Sequence, residues 1–470
     1  MKKVVSNYKP IIVLIFFIII WNFPVPSGLS IQAWHLFALF ISTIFAVIIN
    51  AMPVFVASIM AMSIAILTNT LTPAEAYSGF SKSFILLILS AFLVARGVVK
   101  SGLGKRIAYL IIKKFGKSTL GLGYSMTLTD IIIAPAFPSN TARSGVLYPI
   151  IHSLASDSGS KVSDGTRHKM GNFLMMNGMA GISISSGMWL TAMGANPIGA
   201  KMAEEFGVHI TFFSWFLNAL IPSLIAFLVI PYVLFKLYPP EINETPNAPE
   251  IAKSQLKKMG PISKNELIML ITFIGMVFFW SLSGYLKIDK TAIAFVGLSI
   301  LMISKIFTIH DLKQEGEALG TFIWFAILYT MSSYLNKFGF MNLVGTTLAS
   351  YLEGMSWPLV YVSLISLYVM IHYFFVSQTA QILALLGVFL GIGVNAGVPP
   401  KLMTFMLLFA SNFHSCITPQ GSSANVLFAG SGYLTSNEIY KQGGVVTLCN
   451  LFIFLLFGSF WILLLSKFGF

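Results

Sequence analysis

The chain has 470 residues, of which 56% are hydrophobic and only 10% charged, with a formal net charge of +13. Soluble domains carry about 25% charged residues, so this composition excludes a soluble globular protein and indicates a chain that lies in lipid. The positive charge does not indicate a nucleic-acid partner, because the lysines and arginines lie mostly in short loops between apolar segments, where membrane topology places them.

Apolar runs long enough to cross a bilayer recur along the whole chain. A hydrocarbon core of about 30 Å needs about 20 helical residues, and these runs are too long and too uniformly apolar for the alternating strands of an outer-membrane barrel. The sequence therefore predicts an all-α polytopic membrane protein. We predict apolar segments at residues 11–27, 33–51, 53–71, 83–103, 119–137, 168–193, 210–237, 267–287, 290–304, 318–337, 357–376, 382–395, 401–416 and 443–465.

The N-terminus resembles a signal peptide but lacks a small-residue cleavage site. Met1-Lys2-Lys3 precedes an apolar run, so we predict an uncleaved transmembrane helix within residues 1–31, with the basic N-terminus in the cytoplasm of a multi-pass cell-membrane protein. Residues 104–116 are amphipathic and basic, which predicts a position at the membrane interface. Residues 239–266 are rich in proline and lysine and predict a cytoplasmic linker.

An internal repeat organises the rest of the chain. The segment Ser139-Asn140-Thr141-Ala142 matches Ser377-Gln378-Thr379-Ala380, and Phe84-Ile85 matches Phe322-Ile323 at the same offset. We therefore predict two repeats, at residues 32–238 and 267–470. A lead helix plus five spans in each half gives about 11 transmembrane helices, and an odd number of spans per half inserts the second repeat upside down.

Each repeat also predicts a re-entrant hairpin with a polar tip, at residues 139–141 and 377–379. In the first, an apolar arm ends at Pro135 and Pro138, and a short second arm follows at 145–154. Hydroxyls, an amide and unpaired backbone N–H groups at a helix start suit a carboxylate, so two tips would hold the two ends of a dicarboxylate. The alternative is an ordinary helix cap. The predicted substrate-binding residues here are Ser139, Asn140, Thr141, Ser377, Gln378 and Thr379.

A second polar interruption lies near the end of each repeat, at residues 194–197 and 418–425. Both contain Gly, Pro and small polar residues within apolar helices. Broken helices at corresponding positions of two halves are typical of transporters built from inverted repeats, although simple proline kinks remain an alternative. We assign Asn196, Pro197, Gly421 and Ser422 as further candidate substrate-binding residues.

Four ionisable residues lie close to these interruptions. Arg143 follows the first tip, His372 precedes the second tip, and His414 precedes the second break. Intramembrane ionisable groups indicate function by default, but the histidines could equally be packing residues, and Asp130 could pair with a nearby base. No arrangement of acid–base or metal-ligating residues favours an enzyme, a cofactor or a metal site.

These motifs resemble the divalent anion/sodium symporter family. The resemblance is carried by Ala134-Pro135-Ala136-Phe137-Pro138-Ser139-Asn140-Thr141-Ala142-Arg143, by Tyr334-Leu335-Asn336-Lys337 and by His372-Tyr373-Phe374-Phe375-Val376-Ser377-Gln378-Thr379-Ala380. The chain is most similar to the branch that holds the 2-oxoglutarate/malate translocator and the citrate/succinate antiporter. The resemblance implies a homodimer in the lipid membrane, working as an elevator in which a transport domain moves against a fixed scaffold.

Two departures from the sodium-coupled members affect the expected coupling. Those members show Ser-Asn-Thr in both tips and a compact Thr-Pro-Pro-Asn type pattern in the second break. Here Gln378 replaces asparagine, and residues 420–423 lengthen the break. These departures favour sodium-independent exchange of 2-oxoglutarate against succinate, malate or fumarate. Because a dianion without a co-transported cation needs positive charge from the protein, we predict that Arg143 and His414 supply the charge that sodium supplies in the symporter relatives. The alternatives are a sodium-coupled di- or tricarboxylate symporter, a channel and, more remotely, an integral membrane enzyme.

Overall fold

The structure, a computed structural model, describes residues 8–375 and 377–468 and is helical throughout that part of the chain. Its only extended pairing there is one isolated bridge between Ser118 and Glu244. The predicted basic start, Met1-Lys2-Lys3, and Val376 at the end of a predicted span lie outside the described residues. The prediction of an all-α protein is confirmed.

The helices of the first half are α1 (Tyr8–Trp21), α2 (Ile31–Ile48), α3 (Val54–Leu67), α4 (Pro73–Ala76), α5 (Ser83–Ser101), α6 (Leu103–Phe115), α7 (Thr119–Ile133), α8 (Asn140–Asp157), α9 (Gly171–Met188), α10 (Ala195–Ala203) and α11 (Phe212–Leu237). Those that follow are α12 (Asn247–Met259), α13 (Lys264–Leu286), α14 (Lys290–Ile303), α15 (Ile309–Gln314), α16 (Gly316–Lys337), α17 (Phe340–Ser350), α18 (Trp357–Ile371), α19 (Gln378–Asn395), α20 (Pro400–Phe413), α21 (Asn425–Ala429), α22 (Ser436–Ile453) and α23 (Ser459–Lys467).

Eight helical segments in the described chain are long and apolar enough to cross a membrane. Three shorter apolar helices, α1, α3 and α14, accompany them. Many large apolar side chains on these helices are exposed, which a soluble protein could not sustain but lipid accommodates. The chain is therefore a multi-pass membrane protein.

Several predicted boundaries are wrong in detail. The second arm of the first hairpin is the 18-residue helix α8, not a short piece, because the side chain of Ser139 caps it and the polar residues that resemble a turn form its first turn. The first helix break lies at 189–194, before most of the predicted residues 194–197, whereas the second, at 414–424, contains all of the predicted residues 418–425 except Asn425. The linker ends at Ser263, and it contains the amphipathic helix α12 packed against α6.

The two halves share one order of elements. The series α5, α6, hairpin α7–α8, and broken helix α9–α10 corresponds to α16, α17, hairpin α18–α19, and broken helix α20–α21. Glycines at matching positions, Gly102 and Gly339, turn both halves with left-handed φ angles of 81° and 82°, a conformation that glycine adopts without strain. Even the short helices α4 and α15 correspond, since both begin with a capping box, from Thr72 and from Thr308.

Contacts between the helix ends define two sides of the protein. The linker, residues 239–263, contacts the start of α7 through the Thr119 amide, which donates to the Asn243 carbonyl at 2.9 Å. Arg106 on α6 pairs with Glu266 on α13 on this same linker side. The hairpin α7–α8 has its open end on the linker side, whereas α18–α19 has its open end on the opposite side. The hairpins thus enter the protein from opposite directions and meet at their tips.

The linker side is held in part by Asp311, which lies in α15 outside the membrane helices. Its carboxylate accepts from Lys100 Nζ at 2.7 Å and from the Thr308 amide at 2.7 Å, and these bonds hold the pKa of Asp311 well below its usual range. A group with a lowered pKa stabilises the fold above its unfolded-state pKa of about 4, and this contribution is lost as the pH falls through the folded-state pKa.

We expect Asp311→Asn to lower the free energy of unfolding at pH 7 by about 1.5 kcal/mol. This value is at the low end of the range for hydrogen bonds to charged groups, because Lys100 is partly exposed to solvent. Thermal unfolding in detergent measures this change, and the difference from wild type should shrink as the pH falls below 4. The matched control is Glu75→Gln, since Glu75 closes the equivalent capping box of α4 on the exposed surface. An equal loss in both variants would assign the effect to the capping box rather than to Lys100.

Candidate functional site

The two predicted tips are built alike, each at the start of a helix. The side chain of Ser139 caps α8 by accepting from the Ala142 amide at 3.2 Å, and that of Ser377 caps α19 by accepting from the Ala380 amide at 3.4 Å. The polar residues that follow form the first turn of each helix. Both tips are therefore helix caps, as the alternative interpretation predicted. A cap does not exclude binding, because a capped helix start still leaves backbone N–H groups without an intrahelical partner.

The tips touch each other at the middle of the protein. Asn140 Nδ2 donates to Gln378 Oε1 at 2.9 Å, joining equivalent residues of the two halves. The N-termini of α8 and α19 therefore converge from opposite sides. Both helix dipoles direct partial positive charge to the same place, which favours an anion there.

A cavity of about 370 Å³ lies against the tips, within the range of small-molecule sites. Its other wall comes from α3, α5 and α16 and includes Phe92, Trp324 and Phe325, while Glu317 in the first turn of α16 stands at the linker-side end. All six predicted tip residues line the cavity: Ser139, Asn140, Thr141, Ser377, Gln378 and Thr379.

Arg143 lies behind the first tip and is completely buried. Its guanidinium pairs with Asp130 at 2.9 Å, so Arg143 is the base that partners this carboxylate. It also donates to Asn140 Oδ1 at 2.6 Å and to Ser186 Oγ at 2.5 Å. Because Asn140 Oδ1 accepts from Arg143 and Ser186, its amide nitrogen is directed toward the second tip.

The two broken helices are held by equivalent asparagines. Asn196 Nδ2 donates to the carbonyls of Ser186 and Trp189, at 2.9 and 3.2 Å. Asn425 Nδ2 donates to the carbonyls of Ser415 and Thr418, at the same sequence separations and at 2.8 and 2.9 Å. Each asparagine thus satisfies backbone groups that the unwound segment leaves without helical partners.

The other predicted residues at the breaks do not line the tip cavity. Asn196, Gly421 and Ser422 are buried behind it, and Pro197 lines a different cavity of about 410 Å³ on the opposite side, with Lys82 and Lys290. Sequence reasoning instead missed the cavity-lining residues Gly194 and Ser423 and the serines of α9 that bind Arg143. The run Ser185-Ser186-Gly187 in an apolar helix was the available signal.

The two histidines lie together beneath the second tip. His372 and His414 are both fully buried, and their rings stack with centroids 3.7 Å apart and planes inclined by 23°. Both ring nitrogens of His414 are without a hydrogen-bond partner in the described structure. No group of three or more His, Cys, Asp or Glu residues that could hold a metal occurs in the described part of the chain.

Comparison with known proteins gives consistent matches over nearly the full length. Residues 4–467 match the family model described as the sodium:sulfate symporter transmembrane region. The chain is 42% identical to YflS of Bacillus subtilis, over 94% of this chain and 93% of that protein. It is 39% identical to the chloroplastic dicarboxylate transporter 1 of Spinacia oleracea, over 97% of this chain and 81% of that protein.

Solved structures share the fold at low sequence identity. The Neisseria gonorrhoeae efflux pump MtrF aligns with a TM-score of 0.59 and 13% identity, covering 95% of this chain and 97% of that one. The Alcanivorax borkumensis transporter YdaH aligns with a TM-score of 0.56 and 12% identity, covering 86% and 89%. The fold is that of a membrane transporter, and the family-wide sequence match shows that this chain belongs to the divalent anion/sodium symporter family.

Proposed function

We propose that this transporter exchanges dicarboxylates, 2-oxoglutarate against succinate, malate or fumarate, across the cell membrane without sodium. The observation that carries the proposal is the pair of equivalent tips, joined through Asn140 and Gln378, on one cavity. Two converging helix starts present donors for two carboxylates, one from each repeat. Relatives named dicarboxylate transporters, at 39% and 38% identity, support this substrate class.

The charge arrangement modifies the role expected of Arg143. Because Asp130 balances its guanidinium, Arg143 adds no net charge to the site before substrate binds. We assign it instead the task of orienting Asn140, through the bond to Oδ1. His414 remains a candidate for charge compensation, since it is buried close to the second break.

An elevator mechanism suits the placement of the cavity. The hairpins and broken helices form one side of it, and α3, α5 and α16 form the other, so the substrate lies at the boundary of two bundles. We propose that the bundle carrying the tips is the transport domain and that the other belongs to the scaffold of a homodimer. The repeats, at residues 32–238 and 267–470, would then each contribute one hairpin tip and one broken helix to the transport-domain side of the substrate.

The distribution of charge supports a cytoplasmic linker and N-terminus. Among the described residues, lysines and arginines concentrate on the linker side, as cytoplasmic loops require. The lysines at the helix ends on the opposite side are Lys82, Lys201, Lys287, Lys290, Lys337, Lys401 and Lys467. With this topology the cavity, with Glu317 at its linker-side end, faces the cytoplasm.

Reconstitution in liposomes tests the exchange proposal. Uptake of labelled 2-oxoglutarate should require succinate inside the vesicles and should be unchanged when choline replaces sodium outside. Empty vesicles serve as the matched control, because an exchanger cannot return without a substrate. Strong uptake into empty vesicles under a sodium gradient would instead establish a sodium-coupled symporter, and no uptake of any dicarboxylate would reject the substrate class.

A further inference from the structure

His372 is held between two hydrogen-bond acceptors. Its Nδ1 lies 2.6 Å from Gln381 Oε1, and its Nε2 lies 2.9 Å from the Gly421 carbonyl oxygen. The orientation of the Gln381 amide is fixed, because its nitrogen donates to the Tyr368 carbonyl at 2.7 Å. If the amide were rotated by 180°, Gln381 Oε1 would face the carbonyl oxygen of Tyr368, and two acceptors would meet. Gln381 therefore presents its oxygen, an acceptor, to His372.

Two acceptors require two donors on the imidazole ring. A neutral histidine carries one N–H and one lone pair, whereas the imidazolium carries two N–H groups. In the neutral form, one ring nitrogen would direct its lone pair at an oxygen 2.6 or 2.9 Å away. The surroundings of His372 are therefore built for the protonated ring.

His372 and His414 can hold one proton between them, and no carboxylate of the described residues lies beside them. His414 stacks on the ring at 3.7 Å, and two like charges at that distance repel strongly, so the pair holds a single proton. Tyr368, one turn before His372, bonds to Ser411, and the thiol of Cys416, two residues after His414, is buried. The hairpin partner α19 contributes only the neutral Gln381. No negative charge of the protein in the described residues contacts the histidine pair.

A bound dicarboxylate supplies the missing negative charge. Arg143 is already balanced by Asp130, so a dianion at the tips would otherwise bring uncompensated charge into the protein interior, which is unfavourable. The histidine pair adjoins the site, because Gly421 accepts from His372 and leads directly into Ser423, which lines the cavity. Binding of the dianion and of the proton therefore favour each other.

We propose that His372, stacked on His414, is a proton-binding site and that each dicarboxylate binds together with one proton. This inference rests on the proposed dicarboxylate substrate. In the empty carrier the buried proton lacks a counter-charge, so it is held less tightly than in the loaded carrier. Exchange of one loaded form for another then moves one dianion and one proton in each direction, with no net charge transfer.

Titration calorimetry with succinate tests the site in the purified wild-type protein. Binding at pH 7.5, where the succinate carboxylates are ionised, is measured in two buffers of different ionisation enthalpy. We expect uptake of about one proton per succinate, and an affinity for the dianion that rises about tenfold for each unit of pH decrease. Binding without proton uptake would overturn the proton site while leaving the transporter proposal intact, whereas absence of binding would reject the dicarboxylate substrate itself.

A pair of variants locates the proton. His372→Gln should bind succinate without proton uptake and with no pH dependence of affinity, while His209→Gln, an exposed histidine on the opposite side, should behave as wild type. Proton uptake that persists in His372→Gln would place the proton on another group and contradict the assignment. If His372→Gln does not fold, the wild-type proton count still decides whether a proton binds.

Discussion

Arg143→Met should destabilise the folded protein by about 3–5 kcal/mol, the largest effect expected of any single substitution in the site. The side chain of Arg143 is completely buried, and so is Asp130, its ionic partner. Removing one member of such a pair leaves the other as an uncompensated buried charge. The measurement is thermal unfolding of the purified protein in detergent, together with the yield of monodisperse protein.

The double variant Arg143→Met/Asp130→Asn provides the control. Removing both charges relieves the uncompensated carboxylate, so this variant should recover most of the lost stability. It should still bind substrate more weakly than wild type, because Asn140 Oδ1 keeps only Ser186 as a donor and its amide is held less firmly. Equal stability of Arg143→Met and wild type would show that the pair does not form in the membrane protein.

Thr379→Val should weaken dicarboxylate binding by roughly ten- to hundredfold without loss of stability. Valine keeps the shape of threonine and removes only the hydroxyl, and a hydrogen bond to a charged carboxylate contributes about 1.5–3 kcal/mol. Thr379 is the cleanest choice at the tips, because it lines the cavity and its hydroxyl has no protein partner in the described structure. Asn140→Ala would also remove an acceptor from Arg143.

The same substitution on the protein surface separates binding from folding. Thr346 on α17 is exposed, and its hydroxyl bonds only to carbonyls of its own helix, so Thr346→Val should bind as wild type does. Competition by unlabelled succinate against labelled 2-oxoglutarate measures both variants. If Thr379→Val binds with wild-type affinity, the second tip is only a helix cap, and the proposed substrate site loses its main support.

The sequence predicted the tip residues because repetition makes a weak motif specific. One Ser-Asn-Thr is an ordinary helix start, but a second copy in register indicates two corresponding hairpins. The structure then places Asn140 and Gln378 in direct contact. The pairing of Arg143 with Asp130 could not be predicted from the sequence. It depends on how the two arms of the hairpin pack against each other, not on the number of residues between Asp130 and Arg143.

The position of the first helix break was misjudged for a physical reason. Glycine and proline were read as marking the break, yet Pro197 lies in the first turn of α10. A helix tolerates proline there, because the first backbone N–H groups have no intrahelical acceptor. Proline therefore marks the beginning of the following helix, and the unwound segment precedes it. The second break differs, because Pro419 and Gly421 lie within the unwound segment as predicted and only Asn425 belongs to the following helix, α21.

The contact between Asn140 and Gln378 also bears on how substrates are oriented. The repeats relate the tips by an approximate two-fold axis, but glutamine is one methylene longer than asparagine, so the two ends of the site differ. Succinate and fumarate have a two-fold axis of their own and fit equally well in either direction, a statistical advantage of a factor of two, about 0.4 kcal/mol. Malate and 2-oxoglutarate lack that axis and must choose one direction. The proposed site would thus present two unlike carboxylate anchors, so the two binding directions of malate would differ in their contacts.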